Sequence, residues 1–317
     1  MEKTAQTEHQ EKLSNDLIAA LEKLFGMHAG FRPVHAKGTV CSGTFQPAPE
    51  AAKLTRAKHV AGVPLKTVVR FSNSTGIPNI ADGDPNASPR GIGVRFYLGE
   101  HVHTDIIGHS HNGFPTRTGE EFLEMVRAIA ASGPDTPKPT PIETFMANHP
   151  AALHFSQTPN PNPKSYTTQS YFAVTAFKFT NAAGVSHYGR FQIHPADGNE
   201  YLDDAEAKTK GQDYLGQELG ERLAKGPVRL RVLVEIAEDG DNVSDATITW
   251  PAERRHVDFG TITLTAMVPN DDPEAARIIF DPIPRIDGID PSDDPLIDLR
   301  SALYLISGRR RRAAASK

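Results

Sequence analysis

Two segments of the chain alternate with the period of a β-strand. In 227–236, Val228, Leu230, Val232, Val234 and Ile236 share one face, and in 260–268 Ile262, Leu264, Ala266 and Val268 do the same. A period of two is what a pleated strand with one buried face requires. Further strand candidates are 37–45, 66–72 (KTVVRFS), 91–98 (GIGVRFYL), 102–107, 168–179 and 186–194. The last two join through Asn181–Gly184, and the earlier ones are separated by turns such as STGIPNIADGDPNASP. About eight strands interrupted by helices predict an α+β chain, an eight-stranded antiparallel β-barrel with flanking α-helices. Closure removes exposed edges, and eight strands enclose a core able to hold a ligand.

The helices are read from a wider period. Leu13, Leu17, Ile18, Leu21, Leu24 and Phe25 form a stripe over 12–26, with Gly26 as its stop. Thr118-Gly119-Glu120-Glu121 has the form of a capping box opening a helix to about Ala131, with Phe122, Met125, Val126 and Ile129 on one side. The Pro-rich stretches SGPDTPKPTPIE and TPNPNPK bracket one or two short helices around 142–156. Another helix lies near 213–224, and a last one spans Leu296–Ile306. With no internal repeat and no break in the pattern, the chain divides into an N-terminal helical arm, 1–27, and a single domain, 28–317.

A net charge of −5 gives no field that favours nucleic acid or an anionic membrane. No apolar run approaches the ~18 residues of a membrane span, and the polar start MEKTAQTEHQEKLSND has no signal-peptide core. The lone Cys41 excludes an internal disulfide and fits a reducing compartment, so a cytoplasmic location is expected. Cys41 reads as a small buried thiol, with a thiolate metal ligand as its alternative.

Two stretches carry candidate chemistry. Phe31–Gly38, FRPVHAKG, places His35 just before a strand, three residues after Arg32. A strand entry holds a side chain at the fixed angle a general base needs, and Arg32 offers a fixed cation to a carboxylate or phosphate. The structural reading of His35, as a hydrogen-bonding residue, stands beside it. Near the other end, helical spacing puts Arg300 and Tyr304 one turn apart on one face. A nearby cation favours a phenolate, and a phenolate can ligate ferric iron. An arginine stacked on a partly exposed tyrosine fits the same spacing.

Taken together, these stretches resemble the haem catalases, and more closely the short catalase-related peroxidases that keep only the barrel. Residues 31–38 are similar to the distal-histidine motif, and 70–72 (RFS) and 90–97 (RGIGVRFY) to the two strands after it. FKFTNAAGVSHYGRF (177–191) resembles the family's central hairpin. Phe280-Asp281-Pro282, Gly288-Ile289 and Arg300-x-x-x-Tyr304 follow with the family's spacing. The resemblance spans roughly 28–311 and implies haem b as cofactor, with peroxide and a small organic electron donor as partners. It implies His35 as distal base, oriented by Ser72, and Tyr304 as the proximal iron ligand kept ionised by Arg300. Arg32, Arg70 and Arg311 would hold the haem propionates, with Val34 and Phe122 lining the distal face.

The sequence also departs from the family. Where catalases carry a distal asparagine, this chain reads Asp105-Ile106-Ile107-Gly108-His109, with Asn112 three residues on. A histidine donates or accepts according to its protonation, whereas an asparagine donates at any pH. The expected activity is therefore peroxidase turnover with weak or absent catalase activity. True catalase action and the rearrangement of fatty-acid hydroperoxides, as in the allene oxide synthase relatives, are the alternatives. The long wrapping arm, the C-terminal helical domain and the His-rich nucleotide-binding stretch of full catalases have no counterpart. No NADPH and no interlaced tetramer are therefore expected, and a homodimer is the assembly left open.

Three rival readings remain. His101-x-His103-x-Asp105 with His109 and His111 is superficially like a zinc hydrolase cluster; on a strand, however, the first three share one face without needing a metal, and the hydrolase form wants a histidine where Ile106 stands. Arg309–Arg312 is a candidate nucleic-acid or membrane tag, although Arg311 is claimed by the haem edge. A haem carrier without catalysis would need neither His35 nor Arg300.

Overall fold

The computed structural model describes residues 2–315. Its strands are β1 (Gly38–Pro47), β2 (Leu65–Ser72), β3 (Gly91–Gly99), β4 (Val102–His109), β5 (Tyr171–Phe172), β6 (Phe177–Thr180), β7 (Ser186–Pro195), β8 (Val228–Ile236), β9 (His256–Val268) and β10 (Ile289–Pro291). Antiparallel pairing runs β1-β2-β3-β4-β5-β7-β8-β9 and returns from β9 to β1, closing an eight-stranded barrel. β6 and β10 extend the sheet from β7 as a flap. The barrel is thinnest between β4 and β5, where His109 opposite Phe172 is the only paired position.

The alternating residues of β8 fill the barrel: Leu230, Val232, Val234 and Ile236 are buried against Phe45, Phe96, Phe179, Phe191 and Phe259. In β9 the alternation is broken. Ile262 and Leu264 face the core, but a bulge opposite Ser42 and Gly43 reverses the strand, so Ala266 is exposed and Met267 packs on the core instead. The expected strand 168–179 also divides, because Ser165, Thr168 and Gln169 spend their side chains on local hydrogen bonds and leave only β5 and β6 paired.

The helices are α1 (Glu2–Phe25), α2 (Ala51–Leu54), α3 (Gly119–Ala130), α4 (Pro141–Asn148), α5 (Pro150–Gln157), α6 (Asp204–Thr209), α7 (Tyr214–Lys225), α8 (Pro273–Arg277) and α9 (Pro295–Ala315). α1 starts ten residues before the apolar stripe, and its polar half is tied to α3 by His9 and Glu120 at 2.8 Å. Leu17 and Leu21 of α1 pack on Leu123 and Val126 of α3 and Leu299 of α9, with Val34 and Phe122 against the same cluster. Thr118 caps α3 by accepting from Glu121 N, but the Glu121 carboxylate turns to Arg117 N; the reciprocal box forms at Thr140 and Glu143, opening α4. α9 continues well past Ile306. Within it Gly308 gives Ile279 the space that a side chain would fill. Among the described residues no helix is long and apolar enough to cross a membrane.

Candidate active site

One row of the barrel organises the site. Gly38 pairs with Ser72, Ser72 with Gly91, Gly91 with His109 and His109 with Phe172, so these residues lie side by side across four strand pairs. The His35 imidazole lies over this row at Gly91. A Cβ on Gly91 would sit 2.7 Å from His35 Nδ1 and 2.6 Å from Ser72 Oγ, so only glycine leaves room for the ring. Ser72 Oγ meets His35 Nδ1 at 3.1 Å, which leaves Nε2 free of the serine.

His35 lies just before the strand, as its sequence position suggested, in a bend three residues ahead of β1. Its φ of 56° is left-handed, a conformation that a non-glycine residue holds only when its surroundings impose it. Those surroundings are specific. His35 N donates to Ser74 O and Ala36 N to Thr75 O, both at 3.0 Å. Arg70 Nη2 donates to His35 O at 2.8 Å, and Gly38 leaves the space that the Arg70 guanidinium fills.

Burial, with the charges of Arg70 and Arg32 added, pulls the His35 pKa down to about 4. Burial and the neighbouring His111 and Arg300 bring His109 to about 3. Both rings are therefore neutral near pH 7. Each still keeps some accessible surface. His109 Nδ1 accepts from the His111 backbone N–H at 3.3 Å, which assigns the ring proton to Nε2. His109, Phe114 and Phe122 form a chain of rings with centroids 6.4 Å and 5.3 Å apart. Asn112, the other candidate for the donor position, makes no comparable link to this row.

Three arginines from distant parts of the sequence converge beside the row. Arg32 Nη2 and Arg311 Nη2 both donate to Ile278 O, at 3.2 Å and 3.1 Å, and Arg70 lies on the carbonyls of His35 and Ala36. No carboxylate among the described residues pairs with any of them, and Arg311 Nε is buried without a partner. Burial, with the charges of Arg70 and Arg311, pulls the Arg32 pKa well down; burial brings Arg70 to about 10. Buried cations without counter-ions are costly, so this cluster suits a ligand bearing two carboxylates. The Tyr304 hydroxyl lies within the electrostatic reach of Arg32. The donor set fits a porphyrin dicarboxylate: the arginines would answer its carboxylates, and a phenol and two neutral imidazoles are at hand for its iron and for a bound substrate.

α9 carries Arg300 and Tyr304 one turn apart, yet no hydrogen bond joins them; the Arg300 charge acts on His35, His109 and Asp294. The helix is anchored to the barrel by Phe280-Asp281-Pro282. Phe280 packs on Gly93, Asp281 N donates to Asp105, and the Asp281 carboxylate accepts from Arg285 and from Ser301 Oγ. Sequence reasoning quoted this motif without seeing that it is the strut behind α9. Gly91 and His111 were also missed as parts of the site, since nothing local distinguishes a glycine that seats a distant ring.

The zinc cluster does not assemble. His101 lies in the turn before β4 with φ 58°, outside the strand that was to align it, and Asp105 is buried in an ion pair with Arg95 at 2.6 Å. No group of three or more His, Cys, Asp or Glu side chains among the described residues is placed to hold a metal. In the basic run, Arg311 is buried while Arg310 pairs with Glu22 at 2.9 Å. Cys41 is buried, its thiol pushed up to about 12 by burial beside Met267.

The family model described as catalase matches residues 17–316. A catalase-related peroxidase of Synechococcus elongatus is 34% identical over 94% of this chain and 88% of its own length. One of Mycolicibacterium paratuberculosis is 33% identical over 93% of both. Among solved structures, a fungal catalase superposes with a TM-score of 0.79 at 21% identity, and a bacterial catalase with 0.78 at 23%, each over 90% of this chain. The chain spans 59% and 58% of the lengths of those two catalases, and at such identities they establish the fold. With the barrel closed, the His35 row assembled and the family pattern matched over nearly its whole length, the chain belongs to the catalase family.

Proposed function

We propose that this chain is a haem-dependent peroxidase, reducing hydrogen peroxide or an organic hydroperoxide with electrons from a small organic donor and showing little catalase turnover. The observation that carries this reading is the seat of His35: a neutral imidazole, held by Ser72 over a glycine, with a second neutral imidazole in the same row. Haem b, when bound, supplies the iron that exchanges electrons with peroxide and donor. Tyr304 is the residue that would hold this iron through its phenol oxygen, carried on α9 one turn from Arg300. Arg32, Arg70 and Arg311 take the two propionates, which removes the cost of three buried cations without anions.

His35 does the acid–base work. As a neutral base it takes the proton from one peroxide oxygen and returns it to the other, so that water leaves rather than hydroxide. Ser72 keeps the ring oriented through Nδ1, so the exchange occurs at Nε2. His109 donates from Nε2 to the second peroxide oxygen, since its Nδ1 is taken by the His111 N–H. Its low pKa keeps it a single-proton donor near pH 7. Val34 and Phe122, joined to the α1–α3–α9 cluster, exclude water from that side. A buried single cysteine accompanies a cytoplasmic site of action.

One sample, examined by absorption spectroscopy, an oxygen electrode and a donor-oxidation assay, tests the reading. A strong haem band and donor oxidation exceeding oxygen release are expected. Dominant oxygen release would make the protein a catalase, and a preparation without haem would overturn the proposal.

A further inference from the structure

His111 is a buried titratable residue to which the reading above gives only a backbone role. Its side chain is 6% exposed, and both ring nitrogens are buried without a hydrogen-bond partner. The ring lies tilted by 39° against Phe155 of α5, with centroids 4.1 Å apart. The Gly113 backbone favours the protonated ring electrostatically but lies outside hydrogen-bond geometry. A neutral imidazole offers one donor and one acceptor, and leaving either unmet costs about 1–3 kcal/mol. Such atoms are satisfied by an ordered water or by a ligand.

His111 also stands in a line. On one side its ring centroid is 6.5 Å from that of His109, a gap suited to one bridging water. His109 in turn shares the barrel row over which His35 sits. On the other side α5 brings His154, next to Phe155 in sequence, close enough for its charge to act on His111. His154 is exposed, so the line His35, His109, His111, His154 runs from the pocket to solvent.

We propose that His111 is a proton-relay residue, passing protons between solvent at His154 and the pocket histidines through water seated on its two ring nitrogens. The inference rests on the peroxidase reading. Reduction of one peroxide to two waters consumes two electrons and two protons, while an organic donor oxidised at the edge of the protein releases its protons outside the pocket. Those protons must enter. A proton accepted at one nitrogen of neutral His111 is matched by one released from the other, and reversal of the tautomer resets the ring. His111 touches neither substrate nor haem in this scheme; His109, whose Nδ1 is held by the His111 N–H, orients the connecting water with its Nε2–H and does not pass the proton through its own ring.

The test compares His111→Phe, which keeps an aromatic ring against Phe155 but neither ring nitrogen, with His111→Gln, which keeps a donor and an acceptor. The readout is the rate of cyanide binding to the ferric holoprotein from about pH 5 to 8, the range in which histidine switching is read. Hydrogen cyanide gives up its proton as it binds, so the rate reports proton movement without turnover. The phenylalanine variant is expected to bind cyanide about tenfold more slowly, below the ~10²–10⁴ of a direct general base. The glutamine variant should stay near wild type. Unchanged haem bands and melting temperature identify the loss as transport rather than damage. Wild-type cyanide kinetics in a haem-loaded His111→Phe protein overturn the relay alone, as does equal slowing in both variants. A wild-type protein without haem overturns the relay together with the peroxidase reading.

Discussion

Arg32 and Arg311, from opposite ends of the chain, donate to the same carbonyl oxygen, that of Ile278, at 3.2 Å and 3.1 Å. Two guanidinium groups on one neutral acceptor leave most of their charge unanswered, and Arg70 adds to it. The cluster is arranged for an anion that the polypeptide itself does not supply.

Arg32→Leu should therefore bind haem more weakly without loss of fold. Removing one charge-assisted pair costs about 1.5–3 kcal/mol, or roughly 10–150-fold in affinity. The ratio of haem to protein absorbance after dilution checks this; unchanged retention would place the propionates elsewhere.

His35→Ala should keep haem and lose peroxide turnover by about 10²–10⁴-fold, the contribution of a positioned general base. Stopped-flow reaction of the loaded variant with peroxide measures it. Wild-type rates would remove His35 from the mechanism.

Tyr304→Phe deletes the phenol oxygen while keeping the ring among its neighbours on α9. The variant should lose haem or hold it with an altered spectrum, since no other described anion is assigned to that side. An unaltered spectrum would show that a different residue binds the iron.

His109→Asn should raise the ratio of oxygen release to donor oxidation, because an amide donates a hydrogen bond whatever the pH. Oxygen-electrode and donor assays on the same preparation give the ratio. If it stays fixed, Asn112 or the shape of the pocket sets the partition.

Stability should decline in acid for a definite reason. His35 and His59 are depressed to about 4 and His109 to about 3, all below the ordinary 6.5, chiefly by burial. The unfolded chain therefore binds more protons between those values and 6.5, and folding stability rises with pH across that window. It is fully present above about 6.5 and is lost as pH falls toward 4. His59 alone, 2% exposed among Phe45, Phe96 and Phe259, contributes about 1.4 kcal/mol per pH unit. Urea midpoints across this range give the slope; a flat profile would mean these rings protonate in the folded state.

Much of the barrel was legible because strand alternation is local: β1 to β4, β7 and β8 lie close to where their patterns put them, and the order of the family motifs led to His35, Ser72 and Tyr304. The features that complete the site are not local. Gly91 looks like any strand glycine until β2, β3 and β4 come together and His35 folds over it. The close seat of Ile279 against Gly308 appears only when α9 docks, and the bulge that turns Met267 inward arises where β9 meets β1. A side chain's chemistry is written in its own residue, but the space it occupies, the charges it feels and the partners it lacks depend on chain segments far away. Only closure of the barrel and docking of α9 decided those.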